Sequence, residues 1–229
     1  KKSMITIMEI MGRNAGWLTG ATALARTEDC DGPDLIYLPE RNFNMTEFFE
    51  DLRAILEDHP NVVVAVSEGI HFYNGRYVCE GTSSGAVDVF GHKALSGTGK
   101  ALEIAVKEEL GCKVRSVELN IPQRCAAHLA SATDIEESVC VGREAVRAAS
   151  QGVTRQMMTI ERVSTNPYVT RISHSDVSAI ANKIKAVDDK FINERGNNVT
   201  DECVEYLLPL IRGERTPEYV DGIPVHFVI

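Results

Sequence analysis

The residues best suited to chemistry lie where strand-like runs give way to glycine. In Met11-Gly12-Arg13-Asn14-Ala15-Gly16-Trp17 a glycine turn follows the β-branched run 3–10 and precedes an Ala- and Leu-rich stretch. Gly12 lets backbone approach a ligand closely, a helix N-terminus favours an anion, and Arg13 offers a planar fork of donors to a phosphate or hydroxyl. Ser67-Glu68-Gly69 closes the apolar run 61–66 in a similar way, and a carboxylate there accepts hydrogen bonds from sugar hydroxyls. Each motif has a plainer reading, as a structural turn with a solvated arginine or as a surface acid closing a strand. Glycine turns occur throughout α/β folds, and this one is not G-x-G-x-x-G. Two strand ends with complementary polar groups shift the balance toward a site, because open α/β sheets bind ligands at the carboxyl ends of their strands.

Other residues offer less. Arg115 lies on a strand-like run and Arg124 closes Asn120-Ile121-Pro122-Gln123-Arg124, but surface arginines are usually solvated ion-pair partners, and spacing alone singles out neither. Ser96-Gly97-Thr98-Gly99-Lys100 lacks the first glycine of a Walker loop, since position 94 is Ala, and Ala101 replaces its Ser or Thr. A glycine-rich helix start explains it. The six histidines show no metal-ligand spacing and no triad order stands out. The six cysteines form no C-x-x-C pair, so reduced thiols are expected, with no zinc site and no disulfide framework. Trp17, the sole tryptophan, reads as a packing residue.

These residues need a frame, and the chain alternates to provide one. Strands are predicted over 3–10, 35–38, 62–66 and 114–119, with helices over 14–26, 46–57 and 98–110. Such alternation implies a parallel sheet covered by helices. Beyond Gln123 a long helix is expected from Thr133, capped by the T-x-x-E box of Thr133 and Glu136, to about Ser150. A strand over 157–163 and amphipathic helices over 176–187 and 201–211 follow, with Gly196-Asn197-Asn198 as a loop between the helices. The division expected is a substrate-binding α/β domain over 1–124 and a helical and α/β segment over 125–229 that completes a first domain and returns to the second.

Composition narrows the function classes. Apolar residues at 44% and charged residues at 25% are ordinary globular values. A net charge of −9 disfavours nucleic acid, and an anionic metabolite must then be met by individually placed arginines or helix termini. No apolar run approaches the roughly 18 residues that span a bilayer, and no signal-peptide core opens the chain, so a cytoplasmic protein is expected. Residue 1 is Lys and the first strand begins almost at once, as if the chain were cut from something longer.

The dispersed runs Met11-Gly12-Arg13-Asn14-Ala15-Gly16-Trp17, Val64-Ala65-Val66-Ser67-Glu68-Gly69, and Arg115 followed by Gln123-Arg124 resemble the second half of 6-phosphofructokinases, in order and at about the family spacing. The resemblance runs to the end through Gly196-Asn197-Asn198-Val199-Thr200 and Pro209-Leu210-Ile211-Arg212-Gly213-Glu214, closest to the bacterial branch that includes pyrophosphate-dependent members. It implies a Rossmann-like three-layer α/β fold with an absent N-terminal half, and phosphoryl transfer to the 1-hydroxyl of fructose 6-phosphate. It implies that Met11, Gly12 and Arg13 contact the sugar phosphate and that Arg13 neutralises the phosphoryl group in flight. Glu68 would accept from sugar hydroxyls, Arg124 would grip the 6-phosphate, and Arg115 would reach a neighbouring subunit's site.

Some positions depart from the family pattern. Ile121 stands where many ATP-dependent members carry histidine, Cys125-Ala126 replaces Gly-Gly, and Met4 holds a place that is often a second inter-subunit arginine. By the same resemblance, the donor loop, the catalytic base and the magnesium ligands lie outside this chain, and Mg2+ serves the parent enzyme. ATP and pyrophosphate both stay open as donor, a homodimer or homotetramer is expected, and the isolated chain is expected to have little or no activity. A noncatalytic sugar-phosphate-binding or regulatory module is the alternative. A Rossmann-type oxidoreductase is disfavoured by the missing glycine fingerprint.

Overall fold

A computed structural model describes residues 3–81 and 97–225. The chain forms two compact units. The first runs through Gln123 and is joined by Ile184–Val204, and the second comprises Arg124–Lys183 and the chain from Glu205 onward.

The first unit is built on four parallel strands, β1 (Met4–Ile10), β2 (Leu35–Tyr37), β3 (Asn61–Ser67) and β4 (Lys113–Glu118), in the order β2-β3-β1-β4. Strands β1 and β3 alternate, and their inward residues Ile5, Ile7, Val62, Val64 and Val66 are buried almost completely. Onto that face pack Phe48 and Leu52 of α2 (Met45–Asp58) and Leu102 and Val106 of α3 (Thr98–Leu110), making one apolar core. Asn44 caps α2, its Oδ1 accepting from Thr46 N at 2.9 Å, which sets where the helix starts. Helix α3 begins after Gly97 and ends before Gly111, both in the left-handed region that glycine adopts without strain. Ser96 and the sequence before it back to 82 lie outside the described residues.

The expected helix over 14–26 is shorter. Only Trp17–Ala21 is α-helical (α1), and Thr22–Ala25 tightens to a 3-10 turn, where Thr22 Oγ1 donates to Thr19 O at 2.6 Å. A short helix α4 (Asn120–Arg124) follows β4.

In the second unit, α5 (Ala132–Ser150) is capped by Ser131, whose Oγ accepts from Asp134 N at 3.1 Å. The capping box expected at Thr133 is therefore displaced. Thr133 lies inside the first turn, and its hydroxyl donates to Arg212 O at 3.1 Å. Antiparallel strands β5 (Gln156–Ser164) and β6 (Val169–Asp176) form a hairpin. The helix expected over 176–187 is not formed as such: β6 ends at Asp176 and only Val177–Ile180 is helical (α6). The apolar spacing of Val177, Ile180, Ile184 and Val187 suggests a helix, but Val187 belongs to the returning segment of the first unit, where it is buried. The helix expected over 201–211 divides into α7 (Asp201–Leu207) and a 3-10 turn over Leu208–Ile211, because Pro209 has no N–H to continue the ladder. The two-residue strands β7 (Tyr219–Val220) and β8 (Ile223–Pro224) complete the described elements. No described helix is long and apolar enough to cross a membrane.

Candidate functional site

Parallel pairing puts the carboxyl ends of β1, β3 and β4 at one edge of the sheet. Ile10 stands opposite Ser67, and Glu9 opposite Glu118. The Gly12–Arg13 turn and Glu68 consequently emerge side by side. Glu68 N donates to Ile10 O at 3.0 Å, Gly12 N donates to Glu68 Oε1 at 3.2 Å, and the Ser67 hydroxyl donates to Gly12 O. The sheet thus delivers a glycine turn with its arginine beside a strand-end carboxylate.

Glycine is required at two places here. Gly12 has φ +148°, and a Cβ on it would lie 2.7 Å from Ala15 O. Gly69 is needed for closeness, since its Cβ would stand 1.8 Å from Arg13 O. The turn is braced from three further directions. Gln123 Oε1 accepts from Met11 N at 2.8 Å, Glu40 Oε1 accepts from Gly16 N at 2.9 Å and from Val187 N at 2.8 Å, and Trp17 Nε1 donates to Lys185 O at 2.7 Å. Arg13 is half-buried, and its Nε is buried with no hydrogen-bond partner among the described residues. A buried N–H without an acceptor costs about 1–3 kcal/mol.

Behind the edge lies Glu9. Its Oε2 accepts from Gly99 N at 2.8 Å, and Thr98 Oγ1 donates to Glu68 O at 2.9 Å, so the start of α3 is bonded to both acids. Burial above all, and then the negative charges of Glu118 and Glu68, push the Glu9 carboxyl up to about 7. The peptide donors of Gly99 and Gly97 oppose this rise.

Of the residues singled out in the sequence, Met11, Gly12, Arg13 and Glu68 are brought together. Arg115 is exposed on β4, opposite Thr6 and short of the carboxyl end, and β4 is an edge strand. Ile121, 67% exposed, lies on α4, and the exposed Arg124 ends that helix at the boundary of the second unit. The bracing roles of Glu9, Glu40, Thr98 and Gln123 escape sequence reasoning. Only the glycines flanking Thr98 signal a close approach there. Elsewhere in the first unit, a cavity of about 120 Å³ beyond the end of β2 is lined by Tyr37, Arg41 and Arg195, but Arg195 is already paired with Glu50 and Asp51. Among the described residues no group of three or more His, Cys, Asp or Glu side chains could hold a metal ion.

A parallel sheet with flanking helices, carrying an arginine-bearing glycine turn beside a carboxylate at its carboxyl edge, places the chain in the α/β class. Within that class, a family model described as phosphofructokinase matches residues 2–149, and the chain belongs to this family. It is 39% identical over 221 residues to a pyrophosphate–fructose 6-phosphate 1-phosphotransferase of Xanthomonas campestris pv. campestris, covering 96% of this chain and 52% of the relative. The enzyme of the same name from Methylococcus capsulatus is 37% identical over 220 residues, with the same coverage of each chain. The crystal structure of a pyrophosphate-dependent phosphofructokinase from Nitrosospira multiformis matches with a TM-score of 0.83 and 34% identity, over 97% of this chain and 52% of that one. The chain spans about half the length of the curated relatives it matches.

Proposed function

We propose that this chain carries the fructose 6-phosphate side of a phosphofructokinase-type site, in an enzyme that takes its phosphoryl group from pyrophosphate. The observation that carries this reading is the apposition of Gly12 N and Glu68 Oε1 at 3.2 Å, with Arg13 next in the turn. Pyrophosphate is favoured over ATP as donor because the relatives covering 96% of the chain bear that name. In the transfer, the 1-hydroxyl oxygen of the sugar forms a bond to phosphorus while the bridging P–O bond of pyrophosphate breaks. Phosphate leaves, and the hydroxyl proton passes to a base outside this chain.

Glu68 accepts from sugar hydroxyls and so orients the ring, while Met11 and Gly12 present backbone to the sugar phosphate. Arg13, with an unpaired buried N–H, neutralises charge that grows on the migrating group. Arg124 grips the 6-phosphate, and Ile121 lines the place beside it where a histidine would offer a donor. Arg115, exposed on an edge strand, reaches a neighbouring subunit of a homo-oligomer. Magnesium would shield the phosphates in such a transfer. By the family resemblance its ligands are assigned outside this chain.

Calorimetric titration with fructose 6-phosphate tests the assignment. Arg124→Lys replaces a two-bonded grip by a point charge, and the loss of one charged hydrogen bond, about 1.5–3 kcal/mol, weakens affinity roughly tenfold or more. Arg53→Lys, on α2 and paired with Glu109 at the surface, should be nearly silent. Equal small effects of the two substitutions would remove Arg124 from the site. Arg13→Ala in the enzyme of full family length should lower kcat more than it weakens sugar-phosphate binding, and unchanged turnover would remove Arg13 from the chemistry.

A further inference from the structure

One buried carboxyl has no part in the reaction proposed above. Glu9 is 5% exposed and lies on the same face of β1 as Ile5 and Ile7, toward α3. Its Oε2 accepts from Gly99 N at 2.8 Å, and Gly97 supplies a second backbone donor. The fit is close, for a Cβ on Gly99 would stand 3.4 Å from both Cβ and Oε2 of Glu9. The start of α3 is tied in turn to the site, with Thr98 Oγ1 donating to Glu68 O at 2.9 Å and Glu68 Oε1 accepting from Gly12 N at 3.2 Å. Gly12 follows Glu9 closely along the chain. The bonds therefore close a ring that runs from Glu9 through α3 and Glu68 to the Gly12 turn and back along β1.

We propose that Glu9 is a positioning residue of this site: its carboxyl pins the start of α3, and its charge state sets how Glu68 and the Gly12–Arg13 turn are held against each other. As a statement about sugar-phosphate binding this rests on the function proposed above, whereas as a statement about the turn it does not. Facing Glu9 are Glu118 at the end of β4, Glu68 after β3, and the Cys79 thiol of the 3-10 turn Val78–Gly81. Lys100 in the first turn of α3 is paired with Glu103, and the His71 ring nitrogen lies 3.4 Å from Gly69 O. Burial and the neighbouring acids lift the Glu9 carboxyl to about 7, so it changes charge in the neutral range. Ionised, it is the stronger acceptor for the α3 peptide donors and repels Glu68 and Glu118. Neutral, it relaxes both effects.

Trp17 is the sole tryptophan and follows this turn, which makes its emission a built-in reporter. Titrating the emission of the chain with pH is expected to show a transition with a midpoint near 7. Glu9→Gln, which keeps the size and an acceptor oxygen, should abolish it. Glu118→Gln, which leaves Glu9 in place, should move the midpoint to lower pH, and His71→Gln should leave it where it is. A wild-type midpoint in Glu9→Gln, or a transition that disappears with His71→Gln, overturns the proposal. Should Glu9→Gln fail to fold by circular dichroism, Glu118→Gln decides, and an unmoved midpoint there overturns it equally. Saturating fructose 6-phosphate should displace the wild-type midpoint, with the displacement lost in Glu9→Gln. A Glu9-dependent transition that ignores the sugar phosphate at every pH removes the proposed function and leaves the positioning of the turn intact. A sugar-phosphate response with a Glu9-independent transition does the reverse.

Discussion

Gly69 shows how little change the Arg13 turn tolerates. Its absent Cβ would stand 1.8 Å from the Arg13 carbonyl oxygen, a backbone atom that cannot swing aside. Gly69→Ala should cost about 1–3 kcal/mol or more and displace Arg13, which thermal unfolding measures directly, and an unchanged melting temperature would contradict the packing described. Glu9 sets a pH dependence whose sign follows from linkage. A carboxyl held at about 7 in the folded chain and at 4.5 when free binds its proton more tightly in the folded state. Its contribution to stability is therefore full below the unfolded value and is lost as pH rises through the folded one, by an amount on the order of 1–3 kcal/mol. Denaturant midpoints should fall between these pH values in the wild type and fall less in Glu9→Gln, and parallel curves for the two would refute it. Arg13 and Glu68 were legible in the sequence because glycines mark the strand ends that carry them. Glu9, Thr98 and Gln123 were not, because their roles depend on which strand neighbours which, and a lone acid inside a strand gives no sign of the helix start it meets.

At the scale of elements, α5 offers the clearest test of local physics. Ser131 rather than Thr133 caps it, accepting from Asp134 N and donating to Leu210 O at 2.6 Å. Ser131→Ala should cost about 1 kcal/mol, the usual worth of an N-cap, while a change at position 136, expected to matter if Thr133 and Glu136 formed the box, should be nearly neutral. Equilibrium unfolding of Ser131→Ala and Glu136→Ala separates the two. The four parallel strands and helices α2, α3 and α5 were legible because period-two and period-3.6 patterns were long enough to distinguish. Strand β6 was missed, since Val169–Asp176 alternates apolar with polar residues weakly and its pairing with β5 is settled only by the hairpin register. The over-long helices share one cause. Thr22, Pro209 and the burial of Val187 in the returning segment are local or tertiary events that override an apolar period.

The two units differ in how well they bury apolar residues. The first has a continuous core, whereas α5, β5 and β6 of the second contain no fully buried residue, and Val139, Val146 and Val163 are 52%, 71% and 59% exposed. Apolar surface of that kind drives association, so sedimentation of the isolated chain at ~10–50 µM should show species larger than a monomer, and a clean monomer would argue against it. The chain spans about half the length of its curated relatives, and the proposed function assigns it only the sugar-phosphate side of the reaction. That central claim is tested most directly by amide chemical shifts of the labelled chain during titration with fructose 6-phosphate. The amides of Met11, Gly12, Glu68 and Gly69 should shift together, and inorganic phosphate at equal concentration should move them less. An unchanged spectrum, or shifts confined to residues away from the carboxyl edge of β1 and β3, would contradict it.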